Sequence, residues 1–249
     1  MEFIIIALIA FVLAFMDNTV GMGYGTILTA ILVTMGFNPL LAVPAILLSG
    51  TINGALVSLA HHAVGNVDWD FDKRAIKIVA VLASFGLLGA VLSVLLAVSI
   101  PASFIKMYIG FIVLLMGIIT ILRNNRHIRF SWLKITLLGV FGSFNKGLVG
   151  GGYGPLITSG QILSGVSSKK SVPITAFSES LVSIAGLVAY VILGIFLDFN
   201  LILPLTLGAV CSIPFSVYVV KKVEHRDLTK AIGIAATLFG LYTLLYVLA

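Results

Sequence analysis

Charge is scarce in this chain, and that scarcity limits its class before any motif is read. Only 10% of its 249 residues are Asp, Glu, Lys or Arg, against roughly 25% in an average soluble domain. Hydrophobic residues make up 60% and the mean hydropathy is +1.19, which excludes a soluble domain and fits a polytopic helical membrane protein. Cysteine is nearly absent. The single Cys211 rules out an intrachain disulfide and, lying in an apolar segment, reads as a small packing residue. No basic residue precedes Lys73, so the apolar N-terminus lacks the positive n-region of a signal peptide and reads as part of the fold. HExxH, GxSxG, a Cys-His pairing and an ATP-binding motif are all missing, which argues against an enzyme and against a self-contained primary pump. No metal or other cofactor is expected.

The net charge of +6 and pI near 9.5 do not signal nucleic acid, because the basic residues sit in short loops between apolar runs. Those runs cover 3–15, 24–36, 40–64, 75–98, 104–122, 132–144, 154–165, 172–195, 200–220 and 228–248. A membrane span needs about 20 apolar residues. Six runs qualify. The other four have 12 or 13 residues, a helical rise of roughly 18–20 Å against a hydrocarbon core of about 30 Å. They flank two glycine-rich breaks, Asp17 to Thr26 and Lys146 to Pro155, and so read as two re-entrant hairpins, 3–36 and 132–165.

The breaks are copies of one another. An offset of 129 superposes Val20, Gly21, Gly23, Tyr24, Gly25, Thr29, Gly36, Val43, Pro44 and Ser49 on Val149, Gly150, Gly152, Tyr153, Gly154, Thr158, Gly165, Val172, Pro173 and Ser178. Further on, an offset of 123 matches Gly110 and Gly117 to Gly233 and Gly240. The chain therefore reads as a tandem duplication, 1–125 and 126–249, each copy a hairpin followed by three spans. Three spans per copy is an odd number, which inverts the second copy in the membrane. With both termini outside, Lys73, Arg74, Lys77, Arg123, Arg126, Arg129, Lys134, Lys169, Lys170, Lys221, Lys222, Arg226 and Lys230 all become cytoplasmic, 13 of the 15 basic residues. That is the orientation the positive-inside rule selects.

Backbone broken inside a bilayer survives only against protein or a watered cavity. The glycine clusters permit tight turns, and helices restarting near Tyr24 and Tyr153 would aim their positive N-termini into that cavity. Two such ends make an anion site. Close helix packing through small residues explains glycines on one face, but not clusters flanked by charge at the ends of undersized helices.

These features resemble the TauE/SafE (TSUP) family of sulfite and organosulfonate exporters: the duplicated motif ending Gly-Tyr-Gly-Thr and Gly-Gly-Gly-Tyr-Gly-Pro, Pro44 and Pro173, and His61-His62 followed by Gly65-Asn66-Val67-Asp68. The resemblance implies secondary transport of a small anion, often a sulfur oxyanion or sulfonate. An anion channel is the alternative, and a membrane-embedded enzyme a more distant one.

The expected substrate-binding residues are Asn18, Gly21, Gly23, Tyr24, Gly25, Thr26, Asn145, Lys146, Gly151, Gly152, Tyr153, Gly154 and Ser178. Lys146 is an ammonium that must face a cavity or a partner, and at the 129 offset its counterpart is Asp17. The two either lock the hairpins together or share the site with substrate. Glu179, a turn beyond Pro173, reads as a proton carrier or a partner of Lys146 or His61. Asn53, Gln161 and Ser180 also lie in these segments. His61 and His62 are adjacent and point in different directions on a helix, so they form no metal site; interfacial packing and proton relay are the two readings. Asp68, Asp70 and Asp72 form a solvated acidic loop that caps the helix from about 73. The expected partners are the anion and the bilayer of the cell inner (plasma) membrane, and a homo-oligomer is compatible with the sequence.

Overall fold

The computed structural model describes residues 2–97, 102–122, 129–149, 153–192, 194, 195 and 197–248; side chains inside these stretches are described for most residues, with Thr26 and 143–149 among the exceptions. The described residues are helical, with no strand: α1 (Glu2–Val20), α2 (Tyr24–Thr34), α3 (Pro39–Ala63), α4 (Lys73–Ala97), α5 (Ala102–Leu122), α6 (Trp132–Val149), α7 (Tyr153–Leu163), α8 (Ser168–Ile192), α9 (Phe199–Lys222) and α10 (His225–Leu248). Helices one repeat apart have similar lengths: 19 and 18 residues for α1 and α6, 11 each for α2 and α7, and 25 each for α3 and α8. Five described segments are long and apolar enough to cross a membrane: Glu2–Val20, Leu41–Ala63, Ser168–Ile192, Phe199–Lys222 and His225–Leu245.

Two expectations need correction. The run 3–15 is not an undersized helix, because α1 continues to Val20 and reaches 19 residues, about 28 Å; α6 likewise reaches 18. The helix outlasts the apolar run because its polar residues find partners. Thr19 Oγ1 bonds the Phe15 carbonyl at 2.6 Å, and Asn18 is met by side chains from two other helices. The second correction is Cys211, which is exposed on a helix whose buried face runs through Leu205, Gly208, Ala209, Ser212 and Ser216.

Glycines with positive φ end the helices at matched positions. Gly36 (φ +95°) and Gly165 (+92°), then Gly65 (+81°) and Gly194 (+75°), lie 129 residues apart. At three of them the amides close a Schellman motif: Gly65 N to His62 O with Asn66 N to His61 O, Gly165 N to Ile162 O with Val166 N to Gln161 O, and Gly194 N to Val191 O with Ile195 N to Tyr190 O. Asp72 caps α4, its carboxylate accepting from the Arg74 and Ala75 amides at 3.1 and 3.0 Å, as the sequence indicates.

Both pairs of short and long helices fold back as hairpins. Along α6 and α7, Ser131 N bonds Ser164 O, Gly139 and Gly142 face α4 and α7 in turn, and Leu138 covers Gly160. Along α9, Asn18 of α1 reaches Ser212 while Tyr24 at the start of α2 reaches back to the Leu205 carbonyl. Two pairs of helices matched by the sequence offset pack antiparallel. Gly110, Gly117, Gly233 and Gly240 bring α5 and α10 together, with 110 against 244, 117 against 237, 240 against 114 and 233 against 121. Ser180 Oγ donates to Thr51 O, and Gly186 faces Leu47, so α3 and α8 also run in opposite directions.

Candidate functional site

The turn between α1 and α2 touches α7. Gly21 and Gly23 turn the chain between α1 and α2 with φ of +78° and +124°, conformations that side-chain-bearing residues rarely adopt. The Gly21 amide bonds the Asp17 carbonyl at 2.6 Å, and the Gly21 carbonyl accepts from Thr158 Oγ1 on α7 at 2.9 Å. Gly154 lies against the same backbone: a Cβ there would stand 2.5 Å from Gly21 O. Two tyrosines fix the start of each returning helix. Tyr24 Oη is 2.6 Å from Ser49 Oγ, and Tyr153 Oη donates to Ser178 Oγ at 3.0 Å. Both pairs span 25 residues and are fully buried.

Beside the first tip is a small cavity, about 20 Å³, lined by Asp17, Asn18, Tyr24, Gly25, Asn53 and Glu179 among others. That volume admits roughly one water molecule. It brings Asp17 and Glu179 to one space, which their separation in sequence did not show. Gly50, the counterpart of Glu179 at the 129 offset, also lines it. The Asp17 carboxylate also lies over the N-terminus of α2, where the Tyr24 amide donates to Oδ1 at 3.4 Å. Part of the positive helix end that the sequence reserves for substrate thus already faces a carboxylate of the same chain.

A polar network leads away from the cavity. Asn18 and Asn53 exchange two hydrogen bonds, 3.2 and 2.9 Å, and Asn18 Nδ2 also donates to Ser212 Oγ at 3.0 Å. The Asn18 carbonyl belongs to the last turn of α1, where intrahelical donors run out. His61 Nε2 meets it at 3.3 Å. On the other side of the ring, Asn66 Nδ2 lies 2.8 Å from His61 Nδ1 and donates to the Val217 carbonyl at 3.1 Å. A carbonyl accepts only, so it fixes the orientation of the Asn66 amide, whose second N–H then donates to Nδ1. Nδ1 is therefore the acceptor and Nε2 carries the proton toward Asn18. His61, fully buried, joins α1, α3 and α9 as a neutral ring.

His62 takes no part in the cavity. Its Nδ1 accepts from the Trp69 amide at 3.3 Å, and Nε2 is 3.4 Å from Asp70. Lys146 and Asn145 lie on α6 with side chains outside the described residues; Gly151 and Gly152 lie outside them altogether, as does the Thr26 side chain. Among the described residues, no three His, Cys, Asp or Glu side chains converge as a metal site. Sequence reading missed Ser212, Thr158 and the part played by Asn66. Ser212 and Ser216 sit four apart in an apolar run, and Asn66 follows a Schellman glycine; both were available signals.

A family model described as Sulfite exporter TauE/SafE matches residues 6–243. The chain belongs to that family. It is 25% identical over 245 residues to "Probable membrane transporter protein YtnM" of Bacillus subtilis (strain 168), a match covering 93% of this chain and 79% of that protein. No solved structure matches it. As a TauE/SafE member the chain is an integral membrane protein of membrane transport.

Proposed function

We propose that the protein is a secondary active transporter of a small anion: a sulfur oxyanion, an organosulfonate or a carboxylate. The observation that carries this reading is the contact of Thr158 and Gly154 on α7 with Gly21, three residues before α2 begins. On this reading the N-termini of α2 and α7 each contribute roughly half a positive charge, and Lys146 adds a full one from the same break. On this reading residues 1–125 and 126–249 are inverted repeats with re-entrant hairpins and both termini outside the plasma membrane. The antiparallel packing of α5 on α10 and of α3 on α8 supports the inversion, since equivalent helices of a non-inverted duplication run the same way.

Two carboxylates on one cavity oppose an anion unless protons accompany it. Asp17 and Glu179 then become the coupling groups: an anion binds when one of them is neutral, so proton and substrate bind together. A channel is the second reading. A cavity with room for one water favours an occluding carrier over a standing pore.

Purified protein in liposomes, offered sulfite, taurine and acetate with and without a pH gradient, tests the proposal. Saturable flux with exchange of internal anion is expected, along with at least tenfold weaker binding in Lys146→Met, about 1.4 kcal/mol. Flux that never saturates would indicate a channel. Tight binding of a metal or organic cation, with all three anions inert, would overturn the anion assignment.

A further inference from the structure

The two hairpins differ in chemistry where they pack on the next long helix. Between α7 and α8 a line of buried polar groups runs from the basic end of the bundle to the first tip. Gln161 Nε2 donates to the Ser171 carbonyl at 3.5 Å and to Thr175 Oγ1 at 2.8 Å; Thr158 Oγ1 lies 3.0 Å from Thr175 Oγ1 and reaches the Gly21 carbonyl. The repeat counterparts of Gln161, Ser171 and Thr175 are Leu32, Ala42 and Ile46, three members of one hydrophobic cluster. Burying hydroxyls that bond a carbonyl of the preceding turn, as Ser171 and Ser178 do, is ordinary in a membrane helix. Gln161 is not covered by that account, because its Oε1 is buried without a partner, and a buried acceptor left unmet calls for its own explanation.

At the basic end of this line lies a cavity of about 260 Å³, lined by Asp72, Arg74, Phe130, Ser167, Lys170 and Ile174 among others. Lys170 Nζ bonds Asp72 Oδ2 at 2.6 Å, tying the first turn of α8 to the cap of α4 across the repeats. Arg74 stands over the Phe130 ring at 4.9 Å. Ser167 and Lys170 face the cavity, while Ser171, one position beyond Lys170 on α8, accepts from Gln161 and begins the polar line.

We infer that the substrate reaches the tips from the basic end between α7 and α8, through this cavity, and that the Asp72–Lys170 pair is its latch. The inference rests on the transport reading and adds the route. Its ligand class is a small oxyanion, which hydroxyl and amide donors carry without a fixed charge to trap it. The counterpart positions in the first repeat, Leu32, Ala42 and Ile46, carry no such donors.

Cysteine accessibility in the full-length protein tests the route without relying on transport. In a Cys211→Ser background, Ser171→Cys and Thr175→Cys are labelled with a sulfonate-bearing methanethiosulfonate applied to membrane vesicles from the basic side, and Ala42→Cys and Ile46→Cys with the same reagent applied from the opposite side, the face on which the inverted topology puts them. All four native residues are buried, so each pair reports the opening of its own hairpin from its own face. The second-hairpin cysteines should label at least tenfold faster, and Asp72→Asn should speed them further. Equal rates within the pairs, or no labelling even with Asp72→Asn, would overturn the route. Ser171→Cys and Ala42→Cys are small changes and carry the comparison if Ile46→Cys fails to fold. Failed labelling with intact anion flux rejects the route alone; labelling without anion flux rejects the assigned substrate and leaves the route standing.

Discussion

Asn18 and Asn53 hold each other by both ends of their amides, Nδ2 to Oδ1 at 3.2 Å one way and 2.9 Å the other. This reciprocal pair fastens the last turn of α1 to the middle of α3, so the tip of the first hairpin is positioned by side chains that hold each other. Removing one member strands the other's donor and acceptor in a buried site, at a cost of about 1–3 kcal/mol. Asn18→Leu and Asn53→Leu should each lower the detergent-solubilised melting temperature, Asn18→Leu more, because Ser212 also loses its donor. The double variant should lose less than the sum of the two. Additive losses in a double-mutant cycle would show that the amides do not act as a pair.

His61 should be replaceable by a donor but not by a hydrocarbon. A His61→Gln side chain still offers N–H to the Asn18 carbonyl; His61→Leu leaves that carbonyl and one N–H of Asn66 unmet. The expected outcome is near-native stability for glutamine and a loss of about 1–3 kcal/mol for leucine. Protonating His61 at Nδ1 sets an N–H against Asn66 Nδ2, which the Val217 carbonyl keeps from turning over. Histidine 15N spectra of the labelled protein at neutral pH should show the Nε2–H tautomer, and an Nδ1–H signal at His61 would reverse the assignment.

Much of this was legible in the chain because duplication writes the same physics twice. Helix starts at Tyr24 and Tyr153 follow from the glycine clusters, and the Asp72 cap from an acidic residue before an apolar run. The extent of α1 was not legible: Asp17, Asn18 and Thr19 look like the end of an apolar helix until Asn53 and Ser212, 35 and 194 residues away, are seen to meet Asn18. The Asp17 and Glu179 pairing was hidden for the same reason. Residues matched by the repeat could be found by sliding the sequence against itself, whereas the asymmetric ones, Asn18, His61, Asn66 and Glu179, have Gly147, Tyr190, Ile195 and Gly50 as counterparts and left no internal echo.

Glu179→Gln should separate coupling from binding. If the anion enters with a proton, wild-type affinity rises as pH falls, because neutralising one of the two carboxylates lining the cavity removes a repulsion. The glutamine variant keeps the shape and is neutral at every pH, so it should bind anion with a flattened pH profile and exchange it, yet fail to accumulate it against a pH gradient. Equal loss of exchange and gradient-driven flux would assign Glu179 a structural role.

The Asp72 latch has a defined pH sign. Partial burial pushes its carboxyl up, but the bonds from Lys170 and from the Ala75 and Arg74 amides outweigh this and hold it below the ordinary value. A depressed carboxylate contributes stability that is complete above its unfolded pKa of about 3.9 and lost as pH falls through the lower folded one. The latch therefore persists unchanged between pH 6 and 8, and any transport pH dependence in that range comes from other groups. Asp72→Asn should leave the shape of the transport profile over that interval unaltered. A profile whose inflection moves with Asp72→Asn would contradict this assignment.

Gly154→Ala tests the tip contact directly. The added methyl would stand 2.5 Å from the Gly21 carbonyl and 3.1 Å from Met22 Cα, and both are backbone atoms that cannot rotate aside as a side-chain end does. The first tip must retreat, breaking the Thr158 to Gly21 bond and drawing the two helix N-termini apart. Overpacking of this kind costs about 1–3 kcal/mol, and anion binding should fall with it. Gly36→Ala is the matched control. Nothing lies within 4 Å of its Cβ position, but its φ is +95°, so alanine there strains the backbone at a site remote from the tips. Both variants should melt earlier than the wild type, and only Gly154→Ala should lose anion binding. Parallel losses of binding in the two would mean that general destabilisation, not the approach of Gly154 to Gly21, governs the site.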